Sequence, residues 1–172
     1  MKYDYIIPIC NADDGPEFEY RLNTIQCLIN QFSIYHTPVR FIIIEQIINS
    51  NFKSYIDNLT NYLGIAICEK VHFSEYFSKG WLFNIGVNLS KTKNIILAES
   101  DISLPHEYFD ELNEYLESDP IIRDSWCFGW NNIKYMDEDN KTIIRDTPPF
   151  IGGPEGGLVV VDRNYYNKIK SI

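Results

Sequence analysis

The chain has 172 residues, 45% hydrophobic and 15% aromatic, with a formal net charge of −9 at pH 7. That composition suits one domain with a packed core and excludes a disordered chain. The acidic balance argues against nucleic acid or anionic lipid as a partner, since both need clustered Lys and Arg, and no apolar run nears the roughly 20 residues of a membrane span.

Tyr3 to Ile9 reads as a first strand, followed by a polar loop from Asn11 to Gly15. Asp13 or Asp14 can cap a helix that opens near Pro16 and stops before Pro38, with Leu22, Ile25, Leu28, Ile29 and Phe32 as its apolar stripe. Val39 to Ile44 is a second buried strand, with Glu45 and Gln46 at its carboxyl end. Phe52, Tyr55, Ile56, Leu59 and Leu63 predict a second helix closed by Gly64, and Ile65 to Phe73 predicts a short strand. Ser78 can cap a third helix whose inner face carries Trp81, Leu82, Ile85 and Leu89. A strand over Asn94 to Ala98 and a helix from Pro105 to about Glu117 continue the alternation, with Tyr108, Phe109 and Leu112 inward.

This βα rhythm implies an α/β fold with parallel strands, right-handed crossovers and helices on both faces. Then the pattern changes. Trp126 to Trp130, Ile133 to Met136 and Thr142 to Arg145 are short strands, the last two joined by a hairpin turn at Asp137 to Lys141. A loop with Gly152, Gly153, Gly156 and Gly157 leads to a final strand over Leu158 to Val161, and Asp162 caps a closing helix. Cys10, Cys27, Cys68 and Cys127 form no C-x-x-C pair, and the amino terminus lacks a signal-peptide design. Free thiols and a cytoplasmic setting are expected.

The densest chemistry lies in NIILAESDISLP, residues 94–105. A continuous apolar run suits a strand buried on both faces, and Glu99 and Asp101 follow it at once. In an extended chain, residues two apart share a face. Two carboxylates at the carboxyl edge of such a strand sit where open α/β sheets bind ligands, and Mg²⁺ or Mn²⁺ take oxygen donors of this kind. His36, His72 and His106 lack the i, i+4 partners of a metal ligand set.

In order and spacing these motifs resemble glycosyltransferases of the GT-A fold, closest to the β-galactosyltransferase type and the broad family two. The resemblance runs from YIIPICNADD through VRFIIIEQ and FSKGWLFNIGVNLSKTKNIILAESDISLP to IGGPEGGLVVVDRNYY. It implies a three-layer sandwich around a mostly parallel sheet. It also implies a metal-dependent domain that moves a sugar from a UDP-sugar donor to a hydroxyl of an unknown glycan, lipid or protein acceptor.

By the same likeness the stretch Pro8, Ile9, Cys10 and Asn11, with Arg21, holds the nucleotide, and Glu45 faces the base or ribose. Phe77 and Lys79 match a Phe-x-Arg element, and Asn84 begins an Asn-x-Gly element. Glu99, Ser100 and Asp101 occupy the Asp-x-Asp position, so Asp101 and Glu99 are the expected ligands of Mn²⁺ or Mg²⁺, and Gly156 and Gly157 line the donor sugar. Three departures stand out. Glu99 replaces an Asp, Phe83 stands where family two commonly has Arg, and the family's acidic segment with the catalytic base does not occur before Ile172. No residue presents itself as that base, so the alternative expectation is a noncatalytic sugar-nucleotide-binding or structural module of a larger transferase.

Overall fold

The computed structural model describes residues 2–12, 15–34, 39–59, 66–72, 76–102, 104, 108–118, 128–129, 133–136, 142–145 and 158–169. The strands are β1 (Tyr3–Cys10), β2 (Val39–Ile47), β3 (Ala66–His72), β4 (Asn94–Ala98), β5 (Phe128–Gly129), β6 (Ile133–Met136), β7 (Thr142–Arg145) and β8 (Leu158–Asp162). The helices are α1 (Pro16–Ile34), α2 (Tyr55–Asn58), α3 (Lys79–Leu89), α4 (Tyr108–Ser118) and α5 (Arg163–Ile169). Six strands form one sheet in the order β3-β2-β1-β4-β8-β5, and β6 pairs antiparallel with β7, the expected turn at residues 137–141 lying outside the described residues.

Strands β3, β2, β1 and β4 run parallel, and β8 runs antiparallel to both β4 and β5. The central sheet is therefore mostly parallel, as expected. Alternation along the strands sorts the core into two layers. Tyr3, Tyr5, Ile7 and Ile9 of β1 join Phe41 and Ile43 of β2 under α1, α2 and α4. Ile6, Ile42, Ile44 and Ile95 point the other way, under Leu82 and Val87 of α3 and the tyrosines of α5.

Three local expectations change. The second helix is one turn long, and its Leu63 and Gly64 lie outside the described residues, as does Pro105 of the fourth. The second strand continues to Ile47, so Glu45 and Gln46 are inside it rather than past its end. Trp81 is 41% exposed instead of inward. The cause is Gly86. A Cβ there would meet Ile6 Cγ2 at 2.3 Å, so the missing side chain lets α3 settle directly on β1. That contact fixes the helix rotation with Leu82, Gly86 and Val87 inward, and Trp81 falls off the stripe.

At the amino-terminal edge of the sheet the Asp4 carboxylate is fully buried. It accepts two hydrogen bonds from the Arg40 guanidinium at 2.7 and 2.8 Å. Ser90 Oγ and the Lys91 and Thr92 backbone N–H groups add three more, at 2.7, 2.7 and 3.0 Å. One side chain thus ties β1 to β2 and to the turn between α3 and β4. Burial alone would push this carboxyl up, but the bonds from Arg40, Ser90, Thr92 and Lys91 outweigh it and hold it at about 2.

Two predictions follow from these contacts. Gly86→Ala forces a methyl into Ile6 and lowers stability by about 1–3 kcal/mol, read as a lower urea midpoint at unchanged slope. For Asp4 the folded value lies below the unfolded one, so its stabilisation is complete above about pH 4 and is lost as pH falls through about 2. Asp4→Asn is expected to cost about 2 kcal/mol or more at neutral pH, with the gap to wild type narrowing as the pH is lowered towards 2.

Candidate functional site

Strand order creates the site. The chain passes from β1 to β2 and β3 on one side, then returns to place β4 on the other side of β1. At such a switch point the connections leave in opposite directions, and a crevice opens beyond the strand ends. β1 and β4 pair from Tyr3 with Asn94 to Ile6 with Leu97. Past that point a cleft of about 320 Å³ is lined by Pro8, Ile9 and Cys10 from β1 and by Glu99, Ser100 and Asp101 after β4. Ala12, Glu17 and Arg21 close it from the α1 side, Tyr55 from α2, and Phe77 and Lys79 from the start of α3.

Most of the residues expected at the nucleotide and metal meet here: Pro8, Ile9, Arg21, Phe77, Lys79, Glu99, Ser100 and Asp101. The carboxylates do not arrive as neighbours on an extended strand, however. β4 stops at Ala98 and the chain turns at Ser100 and Asp101. The turn buries Ser100 and leaves Asp101 exposed, while all three side chains still face the cleft.

The charges are already organised. The Lys79 ammonium pairs with the Glu99 carboxylate, both side chains being a little over one-third exposed. Arg21 Nε donates to Glu17 at 3.0 Å, and its Nη1 donates to Ser100 Oγ at 3.2 Å. Burial works against the Arg21 charge, but Glu17 and then Asp101 outweigh it and push its pKa up. Tyr55, stacked on Phe18 at 4.3 Å, has its hydroxyl pushed up to about 12 by burial, with Arg21 opposing. It is therefore a neutral hydrogen-bond donor at physiological pH. Burial also pushes the Cys10 thiol up, which keeps it protonated and a poor nucleophile.

Two cations and three carboxylates give the lining a net charge of −1. A diphosphate entering such a cleft requires additional positive charge. Among the described residues no three His, Cys, Asp or Glu side chains gather to hold a metal ion by themselves. The acidic lining fits a hard cation all the same, because Mg²⁺ and Mn²⁺ bind through one or two carboxylates and complete their shell with phosphate oxygens and water.

Three expected residues have other work. Glu45 is fully buried, and its carboxylate accepts hydrogen bonds from Ser54 Oγ at 2.6 Å and from the backbone N–H groups of Tyr55 and Ile56 at 2.8 and 3.1 Å. The parity of β2 aims it at α2 beside Ile43, so it caps a helix and does not face a base. Asn11 is buried as well. Its Nδ2 donates to the Asn49 carbonyl at 2.7 Å and its Oδ1 accepts from Ile48 N at 2.7 Å, which stitches the end of β1 to the exit of β2. Asn84 accepts from the Tyr166 hydroxyl at 3.0 Å, joining α3 to α5 outside the cleft. Gly156 and Gly157 lie outside the described residues.

Three cleft residues were not anticipated: Ala12, Glu17 and Tyr55. Glu17 was legible as the i−4 partner of Arg21 on one helix. Tyr55 was not, because its place depends on how Glu45 seats α2. Gln46 matters too. Its Oε1 accepts from Ser78 N at 3.0 Å and its Nε2 donates to the Tyr76 carbonyl at 2.7 Å, so it holds the segment that presents Phe77 and Lys79.

No protein-family profile matches the chain, and no curated protein matches it in sequence. Solved structures do. Residues 1–349 of TarS from S. aureus superpose with a TM-score of 0.52 at 12% identity, covering 69% of this chain and 33% of that one; the same fragment is known in complex with UDP-GlcNAc. The mannosyltransferase PcManGT from Pyrobaculum calidifontis, in complex with GDP-Man and Mn²⁺, superposes with a TM-score of 0.61 at 13% identity over 98% of this chain and 46% of that one. A CMP:2-keto-3-deoxy-manno-octonic acid synthetase complexed with CTP gives 0.57 at 10% identity over 99% and 78%.

At these identities the likeness shows the fold alone, a mixed α/β, mostly parallel arrangement of the GT-A, Rossmann-like kind. The chain spans about a third of the TarS fragment and just under half of the mannosyltransferase. No described helix is long and apolar enough to cross a membrane.

The reassignment of Glu45 has a direct check. Glu45→Gln cannot serve both Ser54 and two backbone donors, and it is expected to lower stability by about 1–3 kcal/mol.

Proposed function

We propose that the chain is the donor-binding domain of a metal-dependent glycosyltransferase that uses a UDP-sugar. The observation that carries this reading is the meeting of Lys79, Arg21, Glu99 and Asp101 in one cleft at the β1/β4 switch point. The nucleotide-sugar complexes of proteins sharing the fold support it. Pro8, Ile9 and Tyr55 form the wall against which the uridine lies, and Phe77 covers it. Lys79 and Arg21 engage the diphosphate oxygens through charge-assisted hydrogen bonds, and Asp101 holds a divalent ion. When bound, that ion neutralises charge developing on the leaving diphosphate. Gly156 and Gly157 complete the donor-sugar end.

The acceptor is a hydroxyl compound, and no residue is assigned to take its proton. Binding without transfer, as a module of a larger transferase, uses the same cleft and the same residues. A second reading, nucleotidyl transfer, draws on the likeness to the CTP-bound synthetase. Against it, no Lys or Arg occurs between Cys10 and Arg21, where a triphosphate-binding loop needs cations.

Thermal unfolding tests the proposal. UDP with Mn²⁺ is expected to stabilise the wild type by about 2.7 kcal/mol at a hundred times its Kd, and Asp101→Ala is expected to lose the metal-dependent part. Stabilisation by CTP but not by UDP would move the assignment to nucleotidyl transfer. Release of UDP from a set of donor sugars then separates an enzyme from a binding module.

A further inference from the structure

The two acids of the Glu99-Ser100-Asp101 turn are not equivalent. Glu99 is already neutralised by the Lys79 ammonium. Asp101 is exposed on the cleft and, among the described residues, meets a cation only through its longer-range effect on Arg21. A divalent ion binding at Glu99 would have to displace Lys79 and leave an ammonium beside a second positive charge, which is unfavourable at any effective dielectric. Binding at Asp101 displaces nothing.

Lys79 is held from its backbone as well. It opens α3 directly after Ser78, whose N–H donates to the buried Gln46 amide. The same amide donates to the Tyr76 carbonyl, so the approach to the helix is pinned on both sides of Phe77. Backbone and side chain of Lys79 are thereby both restrained, with the ammonium at the cleft surface.

We propose that Glu99 and Gln46 are positioning residues which hold Lys79 as a permanent cation for the donor's phosphates, and that Glu99 is not a metal ligand. The site then carries two separable phosphate grips: a built-in ammonium that acts without metal, and a divalent ion that depends on Asp101. This rests on the UDP-sugar reading of the cleft and refines how the charge of that ligand is met. It also accounts for the Glu at position 99, because the extra methylene lets the carboxylate reach across to α3 while Asp101 stays near the turn.

Calorimetric titration of UDP, in EDTA and in Mn²⁺, separates the two grips. Wild type is expected to bind in EDTA and to bind more tightly with Mn²⁺. Lys79→Met weakens the EDTA affinity by about tenfold, the loss of one charged hydrogen bond, and keeps the gain from Mn²⁺. Asp101→Asn loses the gain and keeps the EDTA affinity. Glu99→Gln keeps the gain from Mn²⁺, and its effect on the EDTA affinity differs by about tenfold between the wild-type and Lys79→Met backgrounds, as coupled neighbours do. The proposal is overturned if Glu99→Gln abolishes the Mn²⁺ gain as Asp101→Asn does, or if its effect is the same in both backgrounds. Failure of wild type to bind UDP under either condition removes the UDP-sugar reading itself, and this inference with it.

Discussion

Strand β1 anchors both core layers and one side of the cleft. It lies inside the sheet, hydrogen-bonded to β2 along its whole length and to β4 along its first half. Its core side chains face both layers. A strand in that position cannot shift register without moving Tyr5 and Ile6 to the wrong sides. The buried Asp4 carboxylate locks the amino-terminal end, where Arg40 and the Ser90 turn converge on it. With that end fixed, the carboxyl-terminal end is fixed too, and the gap between Cys10 and Glu99 is set by the fold rather than by a flexible loop.

Around that gap the protein uses polar groups twice over. Buried ones build the walls: Glu45 seats α2 and so Tyr55, Gln46 holds the Tyr76 to Ser78 segment, and Asn11 ties β1 to the exit of β2. None of these needs a ligand, because each has its hydrogen bonds within the fold. Partly exposed ones form the floor, with Lys79 against Glu99 and Arg21 against Glu17. Pairs at this exposure add little to stability. Their value is order, since a charge already fixed in place loses less entropy when a ligand arrives.

The same logic bears on how the proposed diphosphate ligand would be met by an acidic chain. Distant carboxylates on the surface are screened by salt within about 8–10 Å, so local charge decides. In the cleft Lys79 is paired with Glu99 and Arg21 with Glu17, while Asp101 is exposed. The overall charge of −9 disfavours nonspecific polyanion binding over the rest of the surface, while the site depends on a few fixed neighbours.

The alternation of strands and helices, the apolar run ending in Glu99-Ser100-Asp101, and helices on both faces of the sheet are legible in the residues alone. All of these follow from periodicities of 2 and 3.6 that a linear chain displays openly. It also displayed Arg21, Lys79 and Phe77 as candidates, through motif order. Tertiary structure decided what a linear pattern cannot hold. Glu45 looked like a residue at a strand end until β2 ran on to Ile47 and turned it into a buried helix cap. Trp81 looked inward until the absent Cβ of Gly86 set the rotation of α3. The pairing of Lys79 with Glu99, twenty residues apart, exists only because α3 and β4 meet at the same edge of the sheet. Periodicity is a property of neighbours in sequence, whereas the division of charge in the cleft belongs to neighbours in space.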